Sequence, residues 1–196
     1  MAEPSSRSSA TASLPGRSSQ TAQLLTCDAV ATEAERCAHF RIRHQVFVIE
    51  QGMFGGSYGG VDGAGGDDTD GHDADPATIH VIGRAGETIC GTVRLYPLGP
   101  DAGPDTGPDT GSGIGGRWKG DRLAVLASYR HLGLGAPLVR FAVSAAARRG
   151  GREMEAFIQP ANVEFFRWLG WERTGDLVDY AGLPHQRMLI DLTGPT

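Results

Sequence analysis

Residues 130–136 of this chain, with the sequence RHLGLGA, place two glycines between an apolar run and a helical run. The preceding residues 123–126 are typical of a buried strand, and residues 137–143 have the apolar spacing of a helix. This order leaves the first N–H groups of the helix without partners, and the helix dipole adds partial positive charge to them. Gly133 and Gly135 let the backbone approach a ligand closely. The segment predicts a site for a phosphate-bearing cofactor, with a turn whose glycines serve packing as the alternative.

Two common nucleotide-binding loops do not fit this segment. A P-loop requires a Lys followed by Ser or Thr, and the segment has neither. A dinucleotide-binding loop requires a third glycine at the position where this chain has Leu138. The glycine pair also lies late in the chain rather than in a first strand–helix unit. A different phosphate-bearing cofactor is therefore expected.

Composition limits the class of protein. The 196 residues suffice for one domain with a sizeable core, and we expect residues 23–196 to form it after a disordered tail of Ser, Ala and Thr at 1–22. The formal net charge of −5 does not favour nucleic acid as a partner. The three cysteines are scattered without a C-x-x-C pair, which argues against a disulfide framework and against a zinc site. This pattern fits a cytoplasmic protein. No apolar run is long enough to span a membrane.

The pattern of apolar residues predicts nine elements in the order α–β–β–β–α–β–α–β–β. The first is a helix over 32–50, for which Thr32 and Glu35 form a capping box. The later helices are expected at 136–149 and 162–169, and the strands at 78–83, 88–96, 117–126, 154–158, 171–180 and 186–192. This order predicts an α/β (α+β) fold with a mixed central sheet and helices on both faces.

Two Gly/Asp-rich segments, 52–75 and 99–116, are predicted to be loops, the first of them mobile. The first contains Asp at alternate positions, as an EF-hand does, but it lacks the Glu at position 12 and the flanking helices. We therefore expect no metal site.

The spacing Arg-x-x-Gly-x-Gly at 130–135 resembles the pyrophosphate loop of the GCN5-related N-acetyltransferase (GNAT) superfamily, whose element order the chain also matches. Three more stretches resemble motifs of that superfamily: 43–51 in the first helix, 159–171 in the last cofactor-side motif, and 182–188 before the closing strand. The combination looks most like the bacterial acetyltransferases found in gene clusters with a nitrilase and linked to nitrogen starvation. The resemblance covers about residues 25–192.

The resemblance implies a GNAT fold in which a splayed strand pair holds acetyl-CoA as co-substrate. It places the pyrophosphate on the glycine loop, the thioester oxygen on the backbone N–H of Val125, and the pantetheine arm along Asn162 and Phe166, with Arg167 near the far phosphates. The predicted cofactor-binding residues are Leu123, Ala124, Val125, Arg130, His131, Leu132, Gly133, Leu134, Gly135, Ala136, Asn162 and Phe166.

Phe166 departs from the superfamily, whose members commonly have a Tyr four residues before the Gly that here is Gly170. Phe has no proton to give to the leaving thiolate. Either water or another donor supplies the proton, or the step needs no acid because a thiol is a good leaving group. Tyr180 is a possible substitute, with an exposed strand residue as its structural alternative.

Four residues are candidates for the general base that deprotonates the amine. They are Glu50 at the end of the first helix, His80 at the start of a strand, His185 before the last strand, and Asp73 in the acidic segment. For each, an ordinary polar or charged surface residue is the alternative. Two arginines, Arg43 and Arg94, are interpreted as surface charges, with contact to the acceptor as the alternative.

These features predict an acyl-CoA-dependent N-acyltransferase that transfers acetyl from acetyl-CoA to the amine of a small metabolite by direct attack. One rival is a non-catalytic acyl-CoA-binding sensor. The other is a longer-chain acyltransferase resembling the acyl-homoserine-lactone synthases. The expected partner is a small-molecule amine, without nucleic acid or membrane, and exposed strands could pair in a homodimer.

Overall fold

The computed structural model describes residues 24–53, 68–99, 116–180 and 182–194. Three helices are α1 (Glu33–Arg43), α2 (Gly135–Arg148) and α3 (Val163–Trp168). The described strands are β1 (Leu25–Ala29), β2 (Ile79–Ala85), β3 (Thr88–Pro97), β4 (Arg117–Val125), β5 (Glu153–Ile158), β6 (Glu172–Tyr180) and β7 (Leu183–Asp191). Together these seven strands form one mixed sheet with the predicted α/β architecture, so the predicted fold class is confirmed.

The sheet has the strand order β1-β2-β3-β4-β5-β7-β6. Neighbouring strands run antiparallel except β4 and β5, which are parallel. That parallel pair is short, because only residues 117–119 of β4 pair with residues 153–155 of β5. Beyond this point β4 continues beside β3 and β5 continues beside β7. The two strands thus splay apart at the middle of the sheet, as predicted.

Helix α1 begins where the sequence predicts. The Thr32 hydroxyl accepts a hydrogen bond from the Glu35 N–H at 3.2 Å, and the Glu35 carboxylate accepts one from the Thr32 N–H at 3.0 Å. This capping box satisfies donors that the first turn would leave unpaired. The helix is continued by a π-helical segment, His44–Glu50, which closes with a bond from the Gln51 N–H to the Val46 carbonyl.

The two faces of the sheet carry separate apolar clusters. On one face α2 packs closely, since a Cβ at Gly83 or Gly91 would lie about 3 Å from the side chain of Leu134. On the other face Phe47, in the segment that continues α1, packs with Ala124 of β4. Helices therefore cover both faces, and the splayed pair β4–β5 lies between them.

Two features differ from the sequence prediction. Strand β1 was missed, because its five residues LTCDA have neither the length nor the alternation that predicts a strand, and only pairing with β2 defines it. Residues 68–75, predicted as part of a mobile loop, instead include a short 3-10 helix, Gly71–Ala74, capped by Asp70. The predicted tail at 1–22 lies outside the described residues, as do most of the two predicted loops.

In the part of the chain that the structure describes, no helix is both long and apolar enough to cross a membrane.

Candidate active site

A cavity of about 130 Å³, partly open to solvent, lies where β4 and β5 diverge. The inner part of the cavity is apolar. The residues that line this part are Val93, Val139, Ala142, Met154, Phe166 and Trp171. Three of the predicted cofactor-binding residues, Leu123, Asn162 and Phe166, also line the cavity. The fold therefore brings β4, β5 and the start of α3 together around one space.

Polar side chains line the rest of this cavity. The group consists of Gln51, Asp121, Arg122, Gln159, Tyr180 and His185. The Gln159 amide donates to the Gln51 side-chain oxygen at 3.1 Å, which ties the end of β5 to the end of the first helical segment. The Tyr180 ring stacks on Phe157 with centroids 5.5 Å apart. The cavity thus has an apolar inner part and a polar part built from five segments: the end of the π-helical segment, β4, the end of β5, β6 and β7.

His185 is the predicted base that lies in this cavity. It is 3% exposed, and its Nδ1 lies 2.9 Å from the carbonyl oxygen of Leu183. Because a carbonyl only accepts, Nδ1 carries the proton and Nε2 of the neutral ring keeps its lone pair. The ring packs edge-on against Tyr180, at 5.3 Å between centroids. In its neutral form, His185 therefore has the tautomer that a general base needs.

The glycine loop has the geometry of an anion site. A 3-10 helix, Ala127–Leu132, ends at Gly133 with φ of 76°, a left-handed conformation that favours glycine. Helix α2 follows directly, and the N–H groups of Leu134 and Gly135 have no hydrogen-bond acceptor among the described residues. A Cβ at Gly133 would meet nothing within 4 Å, so its backbone faces open space. These N–H groups lie at the positive end of a 14-residue helix.

The side chains of the loop have several different roles. Leu134 is fully buried and Ala136 is 9% exposed, so both belong to the core and offer only their backbone to a ligand. Arg130 and His131 are exposed, and Leu132 is half-buried. Ala124 is also buried, against Phe47, which leaves backbone groups as the part of β4 that a cofactor could contact.

A β-bulge shapes β4 beside the cavity. Its register with β3 shifts between Thr92 and Arg94, and Arg122 has φ of 52°, the one positive φ among the described non-glycine residues. Backbone strain of this kind is characteristic of functional sites. After the bulge, the Leu126 N–H donates to the β3 carbonyl of Cys90. Because N–H directions alternate along a strand, that of Val125 points away from β3, toward the gap.

Glu50 lies at the surface rather than in the cavity. Its carboxylate receives a hydrogen bond from the Arg130 guanidinium, with Nη2 and Oε2 2.7 Å apart. This bond lowers the pKa of Glu50 and so weakens it as a base. Arg130 also donates from Nε to the carbonyl oxygen of Val125 at 3.0 Å. Two predicted site residues are thus joined to each other, beside the loop and the end of β4.

His80 is buried on the α1 side of the sheet and does not line the cavity. Its Nδ1 lies 3.2 Å from Nε2 of His39, and its Nε2 lies 3.3 Å from the carbonyl oxygen of Asp73. Burial lowers the pKa of His80. The His39 ring in turn contacts the carbonyl oxygen of Val81 at 3.1 Å. The histidine pair joins α1, β2 and the acidic segment.

Arg43 and Arg94 are not surface charges, so that interpretation was wrong. Both are fully buried, in an ion-pair network with the acidic segment. Arg43 binds Asp68 at 2.7 Å, and Arg94 binds both carboxylate oxygens of Asp70. The network continues to Arg122, and the remaining carboxylates in it are Asp73 and Asp121. Burying such cations costs little only when carboxylates surround them, as they do here.

Two carboxylates of the network, those of Asp73 and Asp121, have lowered pKa values despite their burial. Burial opposes ionisation of Asp73, but the hydrogen bond from Arg43 and the charge of Arg94 hold its pKa below the usual range. The pKa of Asp68 is instead raised, because burial outweighs its pairing with Arg43. Within the described residues no group of three or more His, Cys, Asp or Glu has the geometry of a metal site.

Sequence reasoning missed Asp121 and Arg122 in the cavity wall. One signal pointed to them: Gly120-Asp121-Arg122 interrupts a strand that is otherwise expected to alternate. Glycine and adjacent charges inside a strand are typical of a bulge. Trp171 and Gln159 lie within the recognised last motif, but the motif alone did not indicate that both line the cavity.

Comparison with known families agrees with this geometry. The model of the Acetyltransferase (GNAT) family matches residues 54–171. The chain belongs to the GNAT family. None of the curated proteins compared with the chain matches it. The match includes the splayed pair β4–β5, the glycine loop and α3, which contribute to the cavity and the anion site.

Solved structures of GNAT-type proteins share the fold. A Lactobacillus plantarum protein that has been assigned as an N-acetyltransferase is 21% identical over 86% of this chain and 98% of its own length, with a TM-score of 0.65. FeeM, an N-acyl amino acid synthase from uncultured soil microbes, is 16% identical over 87% and 92%, with a TM-score of 0.63. BjaI, a CoA-dependent acyl-homoserine lactone synthase, is 18% identical over 87% and 83%, with a TM-score of 0.62. At these identities the likeness concerns the fold.

Proposed function

We propose that this GNAT protein is an acyl-CoA-dependent N-acyltransferase that transfers acetyl from acetyl-CoA to the amine of a small metabolite. The observation that carries the proposal is the cavity between β4 and β5, which has His185 in its wall and is also lined by α2, the helix that begins at the anion site. The loop of Gly133 and Gly135 holds the pyrophosphate. The pantetheine arm runs between the splayed strands past Asn162, and the thioester oxygen accepts from the N–H of Val125.

In the proposed reaction the amine nitrogen attacks the thioester carbon directly. Nε2 of His185 takes the proton that the amine loses, as the new C–N bond forms and the C–S bond breaks. The CoA sulfur leaves as a thiolate and must gain a proton. Tyr180 is the proposed donor in place of the usual Tyr, because its oxygen already accepts a hydrogen bond from Arg122 at 3.3 Å. That bond leaves the hydroxyl proton for the cavity.

Of the other candidate bases, Glu50 and His80 are proposed to position rather than to accept the proton. Glu50 holds Arg130 beside the loop and the end of β4. His80 joins α1 to the acidic segment through His39 and Asp73. The link to nitrilase gene clusters remains a prediction from the motifs.

The decisive experiment is release of CoA thiol from acetyl-CoA in the presence of a broad panel of small amines. We expect turnover with at least one amine and none without amine. A Gly135→Val variant should lose CoA binding, because the branched side chain blocks approach of the phosphate. The fold should tolerate the change, since a Cβ there lies an ordinary 3.5 Å from the Phe165 ring. Tight CoA binding without turnover across the panel would support the sensor instead.

A longer-chain acyltransferase is the second candidate, and one observation favours it. The inner part of the cavity is apolar and is lined by the core residues Val139 and Ala142 of α2. An aliphatic tail there would bury apolar surface at about 0.8 kcal/mol per CH₂ group. Comparison of acetyl-CoA with octanoyl-CoA at matched concentrations tests this candidate. A higher kcat/KM for octanoyl-CoA would replace acetyl by a longer acyl group in the proposal.

A further inference from the structure

Trp168, the last residue of α3, differs from the other two tryptophans. It is 69% exposed, whereas Trp118 and Trp171 are 6% and 3% exposed. The guanidinium carbon of Arg140 lies 5.3 Å from the centroid of its ring. A cation in this position covers one face of the indole, and the high exposure leaves the other face to solvent. An indole presented in this way can stack on a planar aromatic ligand.

The pair lies next to the glycine loop. Phe165, three residues before Trp168 on α3, has its ring 3.5 Å from the position of a Cβ on Gly135. Arg140 follows Gly135 by five residues on α2, which corresponds to about 7.5 Å along the helix axis. Trp168 and Arg140 therefore lie about one turn beyond the start of α2, in the groove between α2 and α3.

The charge of Arg140 suits an anion. No carboxylate of the described residues lies within 4 Å of its guanidinium, whereas the nearby Arg167 and Arg173 both pair with Glu164. Arg140 is exposed, so its guanidinium is accessible to a ligand, and the planar N–H donors of a guanidinium match a phosphate group. The groove thus combines an aromatic surface with a cation that pairs with no carboxylate in the part of the chain that the structure describes.

We propose that Trp168 and Arg140 bind the adenosine 3′-phosphate end of CoA. This inference rests on the proposed function, in which the loop holds the pyrophosphate. In CoA the adenosine follows the pyrophosphate directly, so the adenine reaches the open face of Trp168 and the 3′-phosphate pairs with Arg140. A donor thioester on a carrier protein has phosphopantetheine but no adenosine. The pair therefore selects a free CoA thioester as the acyl donor.

Binding of CoA, dephospho-CoA and 4′-phosphopantetheine to the purified full chain tests this, by calorimetry and by quenching of tryptophan fluorescence. The Trp168→Ala variant should bind CoA about tenfold more weakly, as expected for loss of one base stack, and bind 4′-phosphopantetheine as the native protein does. The Trp168→Phe variant should retain most of the affinity. In the native protein, CoA should quench fluorescence more than 4′-phosphopantetheine.

The Arg140→Gln variant should bind CoA only as tightly as the native protein binds dephospho-CoA. Its affinity for dephospho-CoA should be unchanged. Leu24→Ala is the control, because Leu24 is an exposed apolar residue, 72% exposed, outside this groove. The inference is overturned if Trp168→Ala binds CoA as tightly as the native protein does. It is also overturned if the variant loses affinity for CoA and for 4′-phosphopantetheine by the same factor. If the native protein binds neither CoA nor 4′-phosphopantetheine, the proposed function fails together with this inference.

Discussion

At the scale of single residues, the surroundings separate candidates that look alike in the sequence. His80 and His185 both stand beside predicted strands, yet His80 is enclosed by His39 and the Asp73 carbonyl, whereas His185 lines the cavity. Sequence could name both because His is the residue whose ordinary pKa suits a base near neutral pH. It could not choose between them, because the choice depends on which residues from distant segments surround each ring.

The first prediction concerns His185. The His185→Gln variant should lower kcat about 100-fold or more, because the glutamine amide cannot take the proton of the amine. Its affinity for CoA should stay within about twofold, since the hydrogen bond and ring contact of His185 are with Leu183 and Tyr180 of the last two strands. Steady-state kinetics and calorimetry measure the two quantities. The exposed His44→Gln is the matched control, and equal kcat values for the two variants would exclude His185 as the base.

At the scale of elements, the capping box of α1 and the strands β2 and β3 follow from local sequence, and all three were predicted. The acidic segment at 68–75 was not, because its composition of Asp and Gly is typical of solvated loops. What fixes it is the set of buried guanidinium groups from α1, β3 and β4. Those partners are distant in the sequence, as Arg43 and Asp73 are 30 residues apart, so no local pattern indicates them.

The second prediction concerns this segment. Asp73→Asn should destabilise the fold by about 3 kcal/mol, because it removes a charge that Arg43 and Arg94 both use and leaves buried cations undercompensated. Asp75→Asn is the matched control on the same segment: its oxygen caps the Ala77 N–H, which an amide can also do, and the change should cost under about 1 kcal/mol. Urea unfolding measures both. A cost below 1 kcal/mol for Asp73→Asn would contradict the role given to the network.

At the scale of the whole molecule, one sheet carries two separate apolar clusters and opens between β4 and β5. This opening could be expected only from the resemblance, since the apolar pattern of either strand is that of an ordinary sheet. Strand β6 forms one edge of the described sheet, and Leu177 on it is 56% exposed. Pairing of such an edge in a homodimer remains a prediction.

The third prediction concerns the pH dependence of global stability. Burial, together with the charges of Arg43 and His80, lowers the pKa of His39 to about 3. In the unfolded chain its pKa returns to about 6.5. Between these values the unfolded state binds the extra proton, so stability must fall as pH decreases from about 6.5 toward 3. The slope from this residue approaches about 1.4 kcal/mol per pH unit.

Urea unfolding between pH 4 and 7 measures this slope. The His39→Gln variant keeps a donor for the Val81 carbonyl but cannot titrate, so its stability should depend less steeply on pH. The exposed His131→Gln serves as the control and should retain the native slope. An unchanged slope in His39→Gln would show that His39 does not remain neutral in the folded protein.

The sequence alone determined the elements, the glycine loop and the kind of cofactor, because these depend on contacts between residues close along the chain. Helical periodicity, a capping box and Arg-x-x-Gly-x-Gly can all be identified within a few residues. Tertiary structure decided that β1 is a strand, that Arg43 and Arg94 are buried, and that His185 rather than His80 lines the cavity. Each of these depends on pairing and burial between distant segments, which a local pattern does not contain.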